Sequence, residues 1–124
     1  MKVPKIFYAP SKIIYGTARM DDEILYLKFA FPAAEIINPE KQKDKNAQYF
    51  LKQVSDCNQV VLSEYEGFIG KGNFSVLTKA LSSDKKVFVL RRRKNNYNLI
   101  PISGVLIVKP NDWKKEYAKL ILNY

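Results

Sequence analysis

Residues 59–90 read QVVLSEYEGFIGKGNFSVLTKALSSDKKVFVL, and this stretch decides the fold. Gln59-Val60-Val61-Leu62 is a short run of β-branched and aliphatic residues, the composition of a buried strand. Ser63 to Gly72 reads as a loop carrying Gly67, Gly70 and Gly72. Phe74, Leu77 and Leu81, with Val76 and Ala80, then fall on one face of a helix. Lys86-Val87-Phe88-Val89-Leu90 is a second apolar run. Strand, helix and strand in this order predict a crossover unit with two parallel strands, because a hairpin has no room for a helix.

The same alternation extends in both directions. Lys5-Ile6-Phe7-Tyr8 predicts a first strand, stopped by Ala9-Pro10-Ser11. Met20, Ile24, Leu27 and Phe31 recur with helical spacing, Asp21-Asp22-Glu23 occupy the first turn, and Pro32 ends the run. Glu35-Ile36-Ile37 is a second short strand, stopped by Asn38-Pro39. A polar stretch, Glu40 to Asn46, precedes the amphipathic pattern of Ala47, Phe50, Leu51 and Val54. Beyond Leu90, the segment Arg91 to Ser103 reads either as a β-ribbon turning at Asn95-Asn96 or as an irregular loop. Pro101 argues against a central strand there. Gly104 to Val108 predicts another strand. Pro110-Asn111-Asp112 opens an expected last helix, with Trp113, Tyr117, Leu120 and Ile121 on one face. The expected architecture is α/β, with a mostly parallel sheet covered on both faces.

Composition narrows the functional classes. The chain has 124 residues, net charge +9 and 47% hydrophobic residues, which suits one soluble domain spanning residues 1–124. There is no histidine, so histidine-dependent nucleophilic triads are excluded. One cysteine and no histidine leave no ordinary zinc site, and neither a metal nor a cofactor is expected. Cys57 has no intrachain disulfide partner, which points to a reducing compartment. No run is long enough to span a membrane and Met1-Lys2-Val3-Pro4 opens no signal peptide, so a cytoplasmic location is expected, or a host cytoplasm for a viral protein. Plentiful Lys, Ile and Tyr without His hint at a hot habitat. The charge is lopsided: residues 1–62 carry a net +2 and residues 63–124 a net +7. The excess concentrates in Lys85-Lys86 and Arg91-Arg92-Arg93-Lys94. That run reads either as a phosphate-contacting patch or as a solvated strand end.

In an open parallel sheet, ligands bind beyond the carboxyl ends of the strands. That rule selects Tyr8 and Ser11 after the first strand, Asn38 after the second, the segment Ser63 to Asn73 after the third, and Arg91 and Arg92 after the fourth. Gly67, Gly70, Lys71, Gly72 and Asn73 precede or open a helix, where backbone amides and the helix dipole favour an anion. The alternative is a plain flexible turn. The stretch lacks the Gly-Lys-Ser/Thr of a P-loop. Glu64 and Glu66 are the closely spaced carboxylates of this rim and the candidate catalytic pair. Tyr8, Tyr65 and Phe68 are placed to stack on a base.

Four stretches together resemble the nucleoside 2-deoxyribosyltransferase-like family. They are Lys5-Ile-Phe-Tyr-Ala-Pro-Ser, Val54-Ser-Asp-Cys-Asn-Gln-Val-Val-Leu, Gly72-Asn-Phe-Ser-Val-Leu-Thr-Lys-Ala-Leu and Lys85-Lys-Val-Phe-Val-Leu. The resemblance runs from about Lys5 to Leu90. It implies a flavodoxin-like three-layer sandwich with a mostly parallel five-stranded sheet, a homo-oligomer such as a dimer, and nucleoside chemistry through a covalent sugar on a Glu. The nucleophile position falls on Val76, which cannot form a glycosyl ester. Gly70 stands where the family has an Asp, and Asn73 where it has a Thr. The expectation is therefore a small-molecule binding protein for a nucleotide or nucleoside phosphate. Two alternatives stand beside it: an active nucleoside N-glycosidase or transferase using Glu64 or Glu66, and a nucleic-acid binder using Arg91 to Lys94.

Overall fold

The computed structural model describes residues 3–38, 47–94, 96–108 and 117–122. Its elements are β1 (Lys5–Ala9), α1 (Ala18–Ala30), β2 (Glu35–Ile37), α2 (Ala47–Asp56), β3 (Gln59–Ser63), β4 (Phe68–Gly70), α3 (Lys71–Ser82), β5 (Lys86–Arg93), β6 (Asn96–Pro101), β7 (Val105–Val108) and β8 (Tyr117–Leu122). Five strands form a mixed sheet in the order β2-β1-β3-β5-β6. The first four are parallel, and β6 runs antiparallel to β5.

Alternation along the strands gives each face of this sheet its own helices. Phe7, Ala9, Val60, Leu62, Val87 and Val89 pack with Val54 of α2 and Val76, Leu77 and Ala80 of α3. Ile6, Tyr8, Val61 and Leu90 point to the opposite face and meet Met20 and Leu27 of α1. No helix among the described residues is long and apolar enough to cross a membrane.

The ends of α1 are written in its sequence. Thr17 is the N-cap, and its hydroxyl accepts the Met20 N–H. At the other end, the Phe31 N–H closes on the Leu27 carbonyl, and Pro32 prevents further winding.

Three expectations need correction. The stretch from Ser63 to Gly72 is not one loop. It holds a tight turn and β4, and α3 begins at Lys71. Gly70 is thus the helix N-cap and Gly72 lies within the helical first turn. A three-residue strand is too short to show periodicity, which is why it reads as loop.

The strand near Gly104 to Val108 does form, as β7, but in a second sheet. That sheet is antiparallel, in the order β4-β8-β7. The fifth strand of the main sheet is instead β6, so the segment from Arg91 is the ribbon. Pro101 is tolerated because it closes an edge strand.

The expected last helix is contradicted where it is described. Tyr117, Leu120 and Ile121 lie on β8, paired on both sides by β4 and β7. Its opening residues Pro110 to Trp113 lie outside the described residues. A six-residue, mostly apolar segment fits either periodicity, and pairing with two other strands decides it. The small sheet joins the main core through Ile69 and the half-buried Val105 and Ile107.

Candidate functional site

From β1 the chain passes to β2 on one side, then crosses to β3 on the other. The carboxyl ends of β1 and β3 therefore flank a topological switch point. Three pieces of chain converge there: Pro10-Ser11 after β1, Glu64-Tyr65 after β3, and the first turn of α3.

Asn73 ties the first and third together. Its side-chain amide donates to the Ala9 carbonyl at 3.3 Å and to the Pro10 carbonyl at 3.0 Å. The N-cap Gly70 is extended, with φ −74° and ψ 169°, and supplies no side-chain cap to the helix. The leading N–H groups of a helix have no intrahelical acceptor. At Gly72 a Cβ would meet no atom within 4 Å. Neither packing nor backbone geometry demands glycine there. Lys71 stands exposed beside it and opens a groove of about 490 Å³ along α3, also lined by Phe74, Ser75, Thr78, Lys79 and Ser82. The hydroxyls of that groove are committed to the helix itself: Ser75 donates to the Lys71 carbonyl, Thr78 to Phe74 and Ser82 to Lys79.

The two rim carboxylates have separate tasks. Glu64 is buried, and its carboxylate accepts the Gly67 N–H. Tyr65 and Phe68 exchange backbone hydrogen bonds at 3.0 Å across a two-residue turn. Glu66 and Gly67 occupy the centre with φ 53° and 84°. Positive φ at both central positions is the signature of a type I′ hairpin turn, which suits Gly67 and strains Glu66. Glu66 is exposed.

Tyr8 presents no ring at the rim. It is wholly buried beneath α1, and its hydroxyl donates to Glu23 Oε1 at 2.5 Å. Burial first, and the Glu23 carboxylate next, push its phenol far above the ordinary tyrosine range, so it is a fixed donor. Arg19 Nε donates to Glu23 Oε2 at 3.1 Å. The same guanidinium reaches the Glu64 carbonyl at 2.7 Å through Nη2, and lies 5.6 Å from the Tyr65 ring centre. One buried carboxylate thus links β1, α1 and the segment after β3.

Arg19 escaped the sequence reading, and Glu23, expected in the first turn of α1, lies beyond it and is buried, although a signal for the pair was there. Glu23 falls between Met20 and Leu27 on the helix stripe that faces the core. An acid on an apolar stripe needs a partner, and Arg19 one turn earlier supplies it. Two further residues matter here: Ser63, within the segment selected after the third strand, and Tyr97. Each has a buried hydroxyl oxygen without a hydrogen-bond partner, and burial raises the Tyr97 pKa. A hydroxyl at a strand end carries no sequence signal of that kind.

Of the remaining candidates, Ser11 lies at the switch point and the others are dispersed. Ser11 is buried, and its carbonyl accepts the Ile14 N–H at 3.1 Å. Asn38 follows β2 and is half-buried. Arg91 and Arg92 lie past the end of β3, on the β5–β6 ribbon. Arg92 Nε donates to the Lys94 carbonyl at 3.2 Å. Val76 packs in the core of α3. Burial pushes the Cys57 thiol up to about 11, which leaves it protonated and unreactive at neutral pH. No protein-family model, curated protein or solved structure matches the chain.

Proposed function

We propose that this chain is a small flavodoxin-like binding protein that holds a nucleotide or nucleoside phosphate at the carboxyl ends of β1 and β3. The observation that carries this reading is the first turn of α3. It has no side-chain cap, it is tied against the end of β1 by Asn73, and it has open space over Gly72. Free amides at the positive end of a helix, beside a switch point, suit a phosphate. Lys71 adds a cation. Ser11 after β1, with Tyr65 and Phe68 after β3, are the proposed contacts for the nucleoside.

The strand order β2-β1-β3-β5-β6 supports the flavodoxin-like comparison, with the last strand reversed. Valine at position 76 favours binding over glycosyl transfer, because no carboxylate stands at the position the resemblance requires.

Calorimetric titration with the nucleoside monophosphates tests the reading. Binding by the natural chain is expected, with at least tenfold weaker affinity in Gly72→Val. The new side chain enters empty space, so circular dichroism should stay unchanged. Equal affinity in that variant removes α3 from the site, and silence across the whole panel overturns the function.

A further inference from the structure

The β5–β6 ribbon offers a second surface with its own chemistry. The last residue of β3 pairs Ser63 with Leu90. Arg91, Arg92 and Arg93 run on beyond it and pair only with β6, as Arg91 with Asn98, Arg92 with Tyr97 and Arg93 with Asn96. A two-stranded ribbon therefore extends past the parallel strands.

Cross-strand partners share a face, and successive residues alternate between faces. Arg92 and Tyr97 share the α1 side, where the Tyr97 ring lies 5.3 Å from that of Tyr26 and Arg92 lies 6.0 Å over Tyr97. Arg91, Arg93, Asn96 and Asn98 share the other side. Arg93, Asn96 and Asn98 are exposed, and Arg91 is half-buried. Among the described residues the one ion pair is Arg19 with Glu23, so no ribbon cation pairs with a described carboxylate. Lys94 stands exposed at the turn with φ 57°.

Two guanidinium groups and two carboxamides on one face of a ribbon form a specific set of donors and acceptors. A guanidinium pairs with the O6 and N7 edge of guanine, and a carboxamide with the N6 and N7 edge of adenine. Two strands about 4.8 Å apart fit a B-form major groove about 12 Å wide. The major groove of A-form RNA is too deep and narrow to be read in this way. The net charge of +9 favours encounter with a polyanion.

We propose that the β5–β6 ribbon reads double-stranded DNA through the major groove. Arg91, Arg93, Asn96 and Asn98 meet base edges, and Lys94 meets the backbone. This surface does not depend on the nucleotide site, and Gly72→Val should leave it intact.

Selection from a randomised duplex pool, followed by fluorescence anisotropy at several salt concentrations, tests the proposal. An enriched motif is expected. Asn98→Ala and Arg93→Gln should each cut the preference for that motif over a scrambled duplex by roughly 5- to 100-fold. Lys94→Gln should weaken all duplexes alike and reduce the salt slope by about one. These side chains are exposed, and circular dichroism confirms that the variants fold. Three results would overturn the proposal: no enriched motif, equal affinity in the Arg91→Gln, Arg93→Gln double variant, or tighter binding to duplex RNA or single strands.

Discussion

The two faces of the five-stranded sheet are built from alternate residues of the same strands, yet they are held differently. On the α2–α3 face the core is a continuous apolar cluster, from Phe7 and Val60 to Leu77 and Val89. On the α1 face a carboxylate is buried completely, with Tyr8 and Arg19 as partners and the Ser63 hydroxyl oxygen unpaired on the same side. Apolar burial is non-directional and fixes no atom in particular. The α1 face places three groups at set distances, at the cost of desolvating a charge. The candidate site lies where both kinds of packing reach the carboxyl ends of the strands. The network holds the segment after β3, and Asn73 holds the segment after β1.

Removing the carboxylate should break this contrast hardest. Glu23→Ala leaves Arg19 half-buried without its partner and frees the Tyr8 hydroxyl, and we expect a loss of about 3–5 kcal/mol in urea unfolding. On the other face, Leu77→Ala should cost about 3 kcal/mol, set by the cavity that remains. A larger loss at Leu77 than at Glu23 would make the network incidental.

Alkali should separate the faces further. Tyr8 and Cys57 both hold their protons more tightly in the folded chain than in the unfolded one. Stability should be complete at neutral pH. It should decline above about pH 8.5 as the unfolded thiol ionises, and again above about pH 10 as unfolded tyrosine does. The first decline ends near the folded Cys57 value of about 11. Tyr8→Phe should shrink the second decline to the part that Tyr97 contributes, and leave the first. An identical alkaline profile in that variant would show that the phenol is not held as described.

Smaller effects sharpen the comparison. Ser63→Ala deletes a buried hydroxyl that has no partner, so the variant should gain up to about 1 kcal/mol. A loss would mean that the hydroxyl is bonded in the folded chain. Glu66→Asn relieves positive φ at the type I′ turn and should add a few tenths of a kcal/mol, read as a small rise in Tm.

The parallel sheet was legible because its signals are local and repeated. β1, β3 and β5 each hold a compact apolar run, α1 carries Thr17 and Pro32 as its start and stop, and α2 shows clean spacing. The second sheet was not legible. β4 contributes three residues, and β8 takes its conformation from strands distant in the chain. The site divides in the same way. The switch-point rule led to the first turn of α3, whereas Tyr8 seemed a rim residue because a strand end does not announce which face its last aromatic takes. The arginines after β5 were visible as charge, but their cross-strand pairing with Asn96 and Asn98 appears only once the register is known.

The small sheet also gives the candidate site an order of assembly. Gly70, the residue that starts α3, pairs with Tyr117 of β8. β8 lies far along the chain from Gly70, so this pairing can form only after that later segment has been made. During synthesis α3 leaves the ribosome well before the strand that anchors its first residue. A chain still lacking β8 can assemble its parallel strands, but the amino end of α3 has no ladder to hold it. The proposed site at the first turn of α3 is then complete only once β8 has joined the sheet.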